Sequence, residues 1–329
     1  MPADTLEEQL VKYLTDAHSI EVQALAQMRS APDLADDERL STAFKEHEAE
    51  TERHEQLVRE RLEAHGAKPS KLKDAVMALG GKGFVLFARS QPDTDGKLAT
   101  HAISYEHLEL ASYELLARVA DRAGDVETAE AARAIRDQEH AMAERLAGAF
   151  DRAAEASLRD KGSSDSGADV VRYLADAHAI EAQAVQLLEK APKMAGDPEL
   201  ERLYREHLKE TREQQRRVDE RLQALGGSPS KLKDAAMRLG ALNWGMFFQA
   251  HPDTPGKLAA FAYAFEHLEI AGYELLKRVA TRAGDAQTAT LAESIAAEER
   301  AAAEKIAAAW DLAVDASLRE QAVSAAGSG

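Results

Sequence analysis

The chain of 329 residues contains no cysteine. Disulfides, thiolate zinc sites, iron–sulfur clusters and cysteine nucleophiles are therefore excluded. Aromatic residues are scarce at 5 %, and alanine, glutamate, leucine and arginine dominate. That composition favours helix over sheet, because unbranched side chains lose little rotamer freedom in a helix. No run of about 18 apolar residues occurs, so no segment is expected to span a membrane. Positive charge is in deficit: 41 Lys and Arg face 58 Asp and Glu, a formal charge of −17. Such a balance opposes contact with nucleic acid or anionic lipid and favours cations. The start, MPADTLEEQLVKYL, is acidic and amphipathic rather than a secretion signal, so a cytoplasmic helical protein is expected.

What is present is one unit written twice. YEHLELASYELLARVADRAGD, Tyr105 to Asp125, returns as FEHLEIAGYELLKRVATRAGD, Phe265 to Asp285, with 16 of 21 positions identical. YLTDAHSIEVQA at Tyr13 and PSKLKDAVMALG at Pro69 recur at Tyr173 and Pro229, all at an offset of 160. A repeat this long predicts two domains, 1–160 and 170–329, joined by a connector over 161–169 (KGSSDSGAD). Each copy reads as four long helices, in the first approximately 4–30, 36–65, 95–123 and 126–157, with prolines and glycines between them. Asp125 after Gly124 suits an N-cap. SKLKDAVMALGGKGFVLFARS supplies two short helices or turns linking helices two and three, and PSKLKDA reads as an N-capped short helix rather than a phosphate loop. An extended crossover at that place suits a ferritin-like bundle. The fold class expected is therefore all-α, with two ferritin-like four-helix bundles in tandem.

The apolar stripes carry an anomaly. The first helix runs Leu10, Leu14, Ala17, Glu21, Ala24, Met28, a core-facing period with a glutamate at its middle. The second runs Leu40, Phe44, His47, Thr51, His54, Val58, with Glu50 beside Thr51. The third gives Ala102, Glu106, Glu109, Tyr113, Leu116, and the fourth Ala132, Ile135, Glu139, Met142, Leu146. The second copy repeats the acids as Glu181, Glu210, Glu266, Glu269 and Glu299. Burying a carboxylate without a partner costs several kcal/mol. Four or five together would exceed a domain's whole stability of about 5–15 kcal/mol. No lysine or arginine in the stripes neutralises them; protonation at neutral pH would require several raised pKa values together, and a pair of divalent cations is the simpler solution. An oxygen-rich set with histidine suits iron or manganese better than zinc.

DAHSIEVQA, EHEAETERHEQ, YEHLELASYELL and QEHAMAERL resemble the ferritin-like YciE/YciF family of bacterial stress-associated proteins, over nearly all of both copies. The resemblance implies a four-helix bundle, a carboxylate-bridged two-metal site and dimeric assembly. Carried over by position, the first site would be Glu21, Glu50, His54, Glu106, Glu109 and Glu139. Glu106 and Glu109 resemble the paired glutamates on the third helix of rubrerythrins, a spacing that lets both reach one metal pair. The sequence departs from the common Glu-x-x-His pattern. Glu50 and His54 are one residue further apart than that pattern, and His47 is the rival ligand. Met142 and Ala302 stand where a fourth-helix histidine would be, and His54 becomes Gln214 in the second copy.

His47 and His207, and His18 and His178, are second-line ligands; His107, His267 and His140 are expected at the surface. Tyr113 and Tyr273 are expected to hydrogen-bond a ligand carboxylate, with a redox role as the alternative. The functional expectation is two iron ions per bundle, or manganese, reacting with dioxygen or hydrogen peroxide in a stress-protective, ferroxidase- or peroxidase-type role. The alternative is a non-enzymatic helical stress or interaction protein with a degenerate metal site. The two bundles are expected to form a pseudo-dimer within one chain, with room for a higher oligomer.

Overall fold

Local signals in the sequence set the helix ends. In the computed structural model, which describes residues 5–71, 73–75, 94–159, 166–229 and 254–321, α1 spans Leu6–Met28. Thr5 opens it: its hydroxyl accepts from the Glu8 amide at 3.1 Å, and the Glu8 carboxylate accepts from the Thr5 amide at 2.7 Å. Two otherwise orphaned donors are thereby satisfied reciprocally. A single 3-10 turn, Ala31–Asp33, leads to α2, Glu38–Ala64. Asp37 caps α2 by accepting from the Arg39 and Leu40 amides, both at 3.1 Å.

The end of α2 needs a glycine. Gly66 has φ +67°, a conformation that side chains with a Cβ resist. It lets the Ala67 amide reach back to the Leu62 carbonyl at 2.9 Å, and its own amide reaches Glu63 at 2.9 Å. Those paired bonds satisfy the last carbonyls of the helix. α3, Thr94–Ala123, and α4, Val126–Arg159, are separated by Gly124 and Asp125 alone. Asp125 caps α4 by accepting from the Thr128 amide at 3.0 Å.

In the first unit α1 packs against α2 and α3, and α4 against the same two helices. The ring order is therefore α1, α2, α4, α3. Ion pairs fix the directions. Arg61, near the end of α2, meets Asp125 at the start of α4 at 3.1 Å. Asp37, at the start of α2, meets Arg152 near the end of α4 at 2.9 Å. The Asp36 and Asp37 amides donate to Asp95, at the start of α3, at 2.9 and 3.1 Å. Thus α2 and α3 are diagonal and parallel, while each ring neighbour is antiparallel. A connection from the end of α2 to the start of α3 must return the length of a 27-residue helix, about 40 Å. The short helices expected there fall largely on 76–93, outside the described residues; Ser70 does accept from the Lys73 amide at 3.4 Å.

The second unit repeats the design with α5 (Ser166–Met194), α6 (Pro198–Ala224), α7 (Thr254–Arg282), α8 (Ala286–Ala307) and α9 (Trp310–Glu320). α8 and α9 stand where the first unit has one unbroken helix. The division between units falls between Gly162 and Ser163. Of the connector expected over 161–169, Ser166–Asp169 belongs to α5, and the rest lies outside the described residues. Asp169 pairs with Arg172 at 2.8 Å in that first turn, and an acid there also suits the helix dipole. Among the described residues there is no strand, and no helix is long and apolar enough to cross a membrane.

Candidate metal centre

The stripes anticipated on α1 to α4 converge at mid-length. Glu21, His47, Glu106, Glu109 and Glu139 are each 0 % exposed and His54 is 3 % exposed, deep enough that a bare charge there is costly. Their donor atoms form two groupings within which all lie inside 4.8 Å: His47, Glu106, Glu109 and Glu139, and Glu21, His54 and Glu139. Glu139 belongs to both. Its Oε2 lies 3.5 Å from His47 Nε2, while its Oε1 lies 2.7 Å from His54 Nδ1. One carboxylate thus turns an oxygen towards each grouping, the arrangement a bridging ligand requires. Each grouping contains one imidazole.

Glu21, Glu106 and Glu109 resist ionisation. Burial, then the Glu139 charge, pushes Glu21 up to about 8. Burial raises Glu106 to about 7 against the pull of His47, and burial with three neighbouring carboxylates holds Glu109 well above its ordinary value. The histidines move in the complementary sense. Burial opposes the charge on His47, but Glu106, with Glu50 and Glu139, outweighs it and lifts the ring to about 11. For His54 burial is likewise outweighed, chiefly by Glu139, and its value rises to about 9. With all four carboxylates ionised, as ligands would be, the cluster would carry more negative charge than its two imidazoles offset. Both oxygens of Glu106, Glu109 and Glu139 are buried without a hydrogen bond among the described residues, which native interiors seldom tolerate without an ion or water. The cluster could hold metal ions, and its unpaired oxygens fit that use.

Glu50 lies outside both groupings. Its side chain is 23 % exposed, pairs with Arg145 at 2.6 Å and meets His47 Nδ1 at 3.2 Å. The His47 contact, helped by Arg145, lowers it to about 2. Glu50 follows His47 by three residues and adjoins Thr51, so helical geometry turns it from the interior to the rim. It holds one ring nitrogen of His47 and leaves the other facing Glu106. Gln138 does the same for His54, whose Nε2 lies 2.6 Å from the amide oxygen. Such outer partners fix ring orientation and tautomer. Tyr113 donates to Glu21 of α1; a carboxylate partner was expected, and it is supplied by another helix rather than by Glu109 four residues before.

The second unit places Glu181, His207, Glu266, Glu269 and Glu299 together, all buried. The groupings are His207, Glu266 and Glu299, and Glu181, Glu269 and Glu299. Here Glu299 is shared. Tyr273 donates to Glu181. Burial raises Glu181 to about 8 and holds Glu269 and Glu299 well above the ordinary carboxylate range. His207, raised to about 10 by Glu266 against burial, meets Glu266 at 2.9 Å. Glu210, like Glu50, is at the rim: it pairs with Lys305 at 3.2 Å and is 43 % exposed at its side chain. Gln214 donates to Glu298 at 3.2 Å.

His18 and His178 belong to neither pair of groupings. His18 spans Glu55 at 2.6 Å and Asp74 at 3.2 Å. His107 and His267, expected at the surface, are half-buried because each ring bonds back to its own helix, at the Ile103 and Tyr263 carbonyls. His140 is exposed. His47 and His207, second-line on sequence, both stand inside the groupings. Their signal was the stripe itself, in which His47 and not Glu50 holds the inner position.

No solved structure matches the chain. The model of one family matches it twice, over residues 5–159 and 171–319, nearly all of each repeat. The chain belongs to the family described as Domain of unknown function (DUF892), in tandem duplicate.

Proposed function

We propose that each unit is a ferritin-like four-helix bundle that holds a pair of divalent cations, and that the chain is a di-iron carboxylate protein reacting with dioxygen or hydrogen peroxide in a cytoplasmic, stress-protective role. One observation carries this reading: four fully buried carboxylates around two imidazoles, with Glu139 turned to both groupings. The resemblance of EHLELASY and DAHSIEVQA to the YciE/YciF proteins supports the stress-protective part.

His47 with Glu106 and Glu109 would hold one ion, Glu21 with His54 the other, and Glu139 both. Bound iron supplies electrons for a small oxidant and open positions at which it can bind. The protein's part is positional. Glu50 and Gln138 aim the two imidazoles, and the Tyr113 hydroxyl holds Glu21. Met142, Leu146 and Leu116, each at most 2 % exposed, close the interior to bulk water. With no cysteine in the chain, a rubredoxin-type electron donor is not built in, so turnover draws on a separate reductant.

Anaerobic loading with ferrous iron, followed by metal analysis of the intact chain, tests the proposal. The N-terminal bundle is expected to take about two ions, and Glu109→Ala to abolish that uptake. A chain that stays metal-free, or loads unchanged in the variant, would defeat it.

A further inference from the structure

The two units are not equivalent in donor chemistry. In the first, each grouping has an imidazole: His47 in one, His54 in the other. In the second, His207 serves one grouping, and the other consists of Glu181, Glu269 and Glu299 alone. The missing imidazole is His54, replaced by Gln214, which is 1 % exposed and turned to Glu298. The oxygen-only grouping is not a surface accumulation of acids. Glu269 and Glu299 are each 1 % exposed, and all four of their carboxylate oxygens are buried without a hydrogen bond among the described residues. Tyr273 satisfies one oxygen of Glu181 and leaves Oε2 unpaired.

Ligand type sorts divalent cations. Imidazole suits iron, zinc and other later transition metals, whereas carboxylate-only sets suit manganese, magnesium and calcium. We infer that the C-terminal unit is a mixed site, taking a transition metal at His207–Glu266–Glu299 and a hard, oxygen-preferring cation of the manganese class at Glu181–Glu269–Glu299. This inference rests on the reading that the units bind metal. It makes residue 214 the determinant of selectivity: a single imidazole decides whether the second position discriminates in favour of iron.

The surroundings permit a reciprocal exchange. Glu298 stands 160 positions after Gln138, the outer partner of His54. A histidine introduced at 214 would therefore find an acceptor for its outer nitrogen, as His54 does.

The test uses the full chain, stripped with chelator and equilibrated anaerobically with ferrous iron and a manganous excess that offsets the general affinity order Mn2+ < Fe2+. Bound ions are counted by elemental analysis, and manganese is observed by electron paramagnetic resonance. The expected wild-type content is about three iron ions and one manganese ion per chain. Gln214→His should shift this to about four iron ions and remove the manganese signal, while His54→Gln should lower the iron content by about one ion. If all three proteins bind the same ratio, the inference is overturned and the metal-binding reading stands. If none binds either ion, both fail. A variant that does not fold is recognised by circular dichroism, and the opposite exchange then decides.

Discussion

Glu21→Gln isolates the cost of one inward carboxylate. The substitution keeps the side chain's shape and an acceptor for the Tyr113 hydroxyl, but removes the titration. Glu21 rises from an ordinary 4.5 to about 8 in the fold, so the native state binds its proton more tightly than the unfolded chain. Its stability contribution is therefore complete below about pH 4.5 and is lost as pH rises through about 8. Between pH 4.5 and 7 a shift of that size removes about 3 kcal/mol from the metal-free protein. Glutamine loses nothing over that range, although its buried amide N–H groups carry a fixed cost of about 1–3 kcal/mol. The variant should thus be less stable than wild type at pH 4.5 and equal or more stable at pH 7. The difference between the two proteins should move by about 3 kcal/mol. Urea unfolding of the intact chain in chelator, following the transition that the substitution displaces, measures this. A difference that stays constant across that pH range would refute the electrostatic account of the cluster, whatever its sign.

Further expectations concern the same interior and its frame. The metal-free chain should lose stability steadily from about pH 5 to pH 10, because the raised histidines at 47 and 54, like Glu21, contribute most below their ordinary values and nothing above their folded ones; melting curves in chelator follow it. Metal uptake near pH 7 should release about four protons per N-terminal unit, from the two imidazoles and from the Glu21 and Glu109 carboxyls, read by calorimetry in buffers of different ionisation enthalpy. Glu50→Ala should weaken binding at the His47 position about 10- to 100-fold without abolishing it, measured by competition with a chromophoric chelator. Gly66→Ala should cost about 1 kcal/mol in urea unfolding, since its φ of +67° disfavours any Cβ, and leave the metal content unchanged.

Much of the helical frame was legible because its signals are local. Thr5 with Glu8, Asp125 with Thr128 and Gly66 with Ala67 each fix a helix end through bonds spanning a few residues. The first-repeat helices expected near 36–65 and 95–123 run Glu38–Ala64 and Thr94–Ala123. Ser166–Asp169 misled because serine and glycine suggest a flexible chain, while the Asp169–Arg172 pair that favours helix depends on register. The inward glutamates were readable from the stripe period. Glu50 was not, since it was ranked by residue type although its angular position turns it to the rim, where Arg145 from α4 holds it. That contact spans 95 residues, and no local pattern announces it. Gln138 and Arg145 escaped notice for the same reason: polar side chains on an outer face acquire a role only when another helix comes alongside.

The substitution at position 214 has a meaning beyond coordination. When two identical chains associate, every mutation appears in both halves, so neither half can specialise alone. Fusion removes that constraint: one gene now encodes two non-identical halves in a fixed one-to-one ratio. Gln214 stands beside an intact His54 on a single polypeptide, so a change in one half leaves the other half's residue as it is.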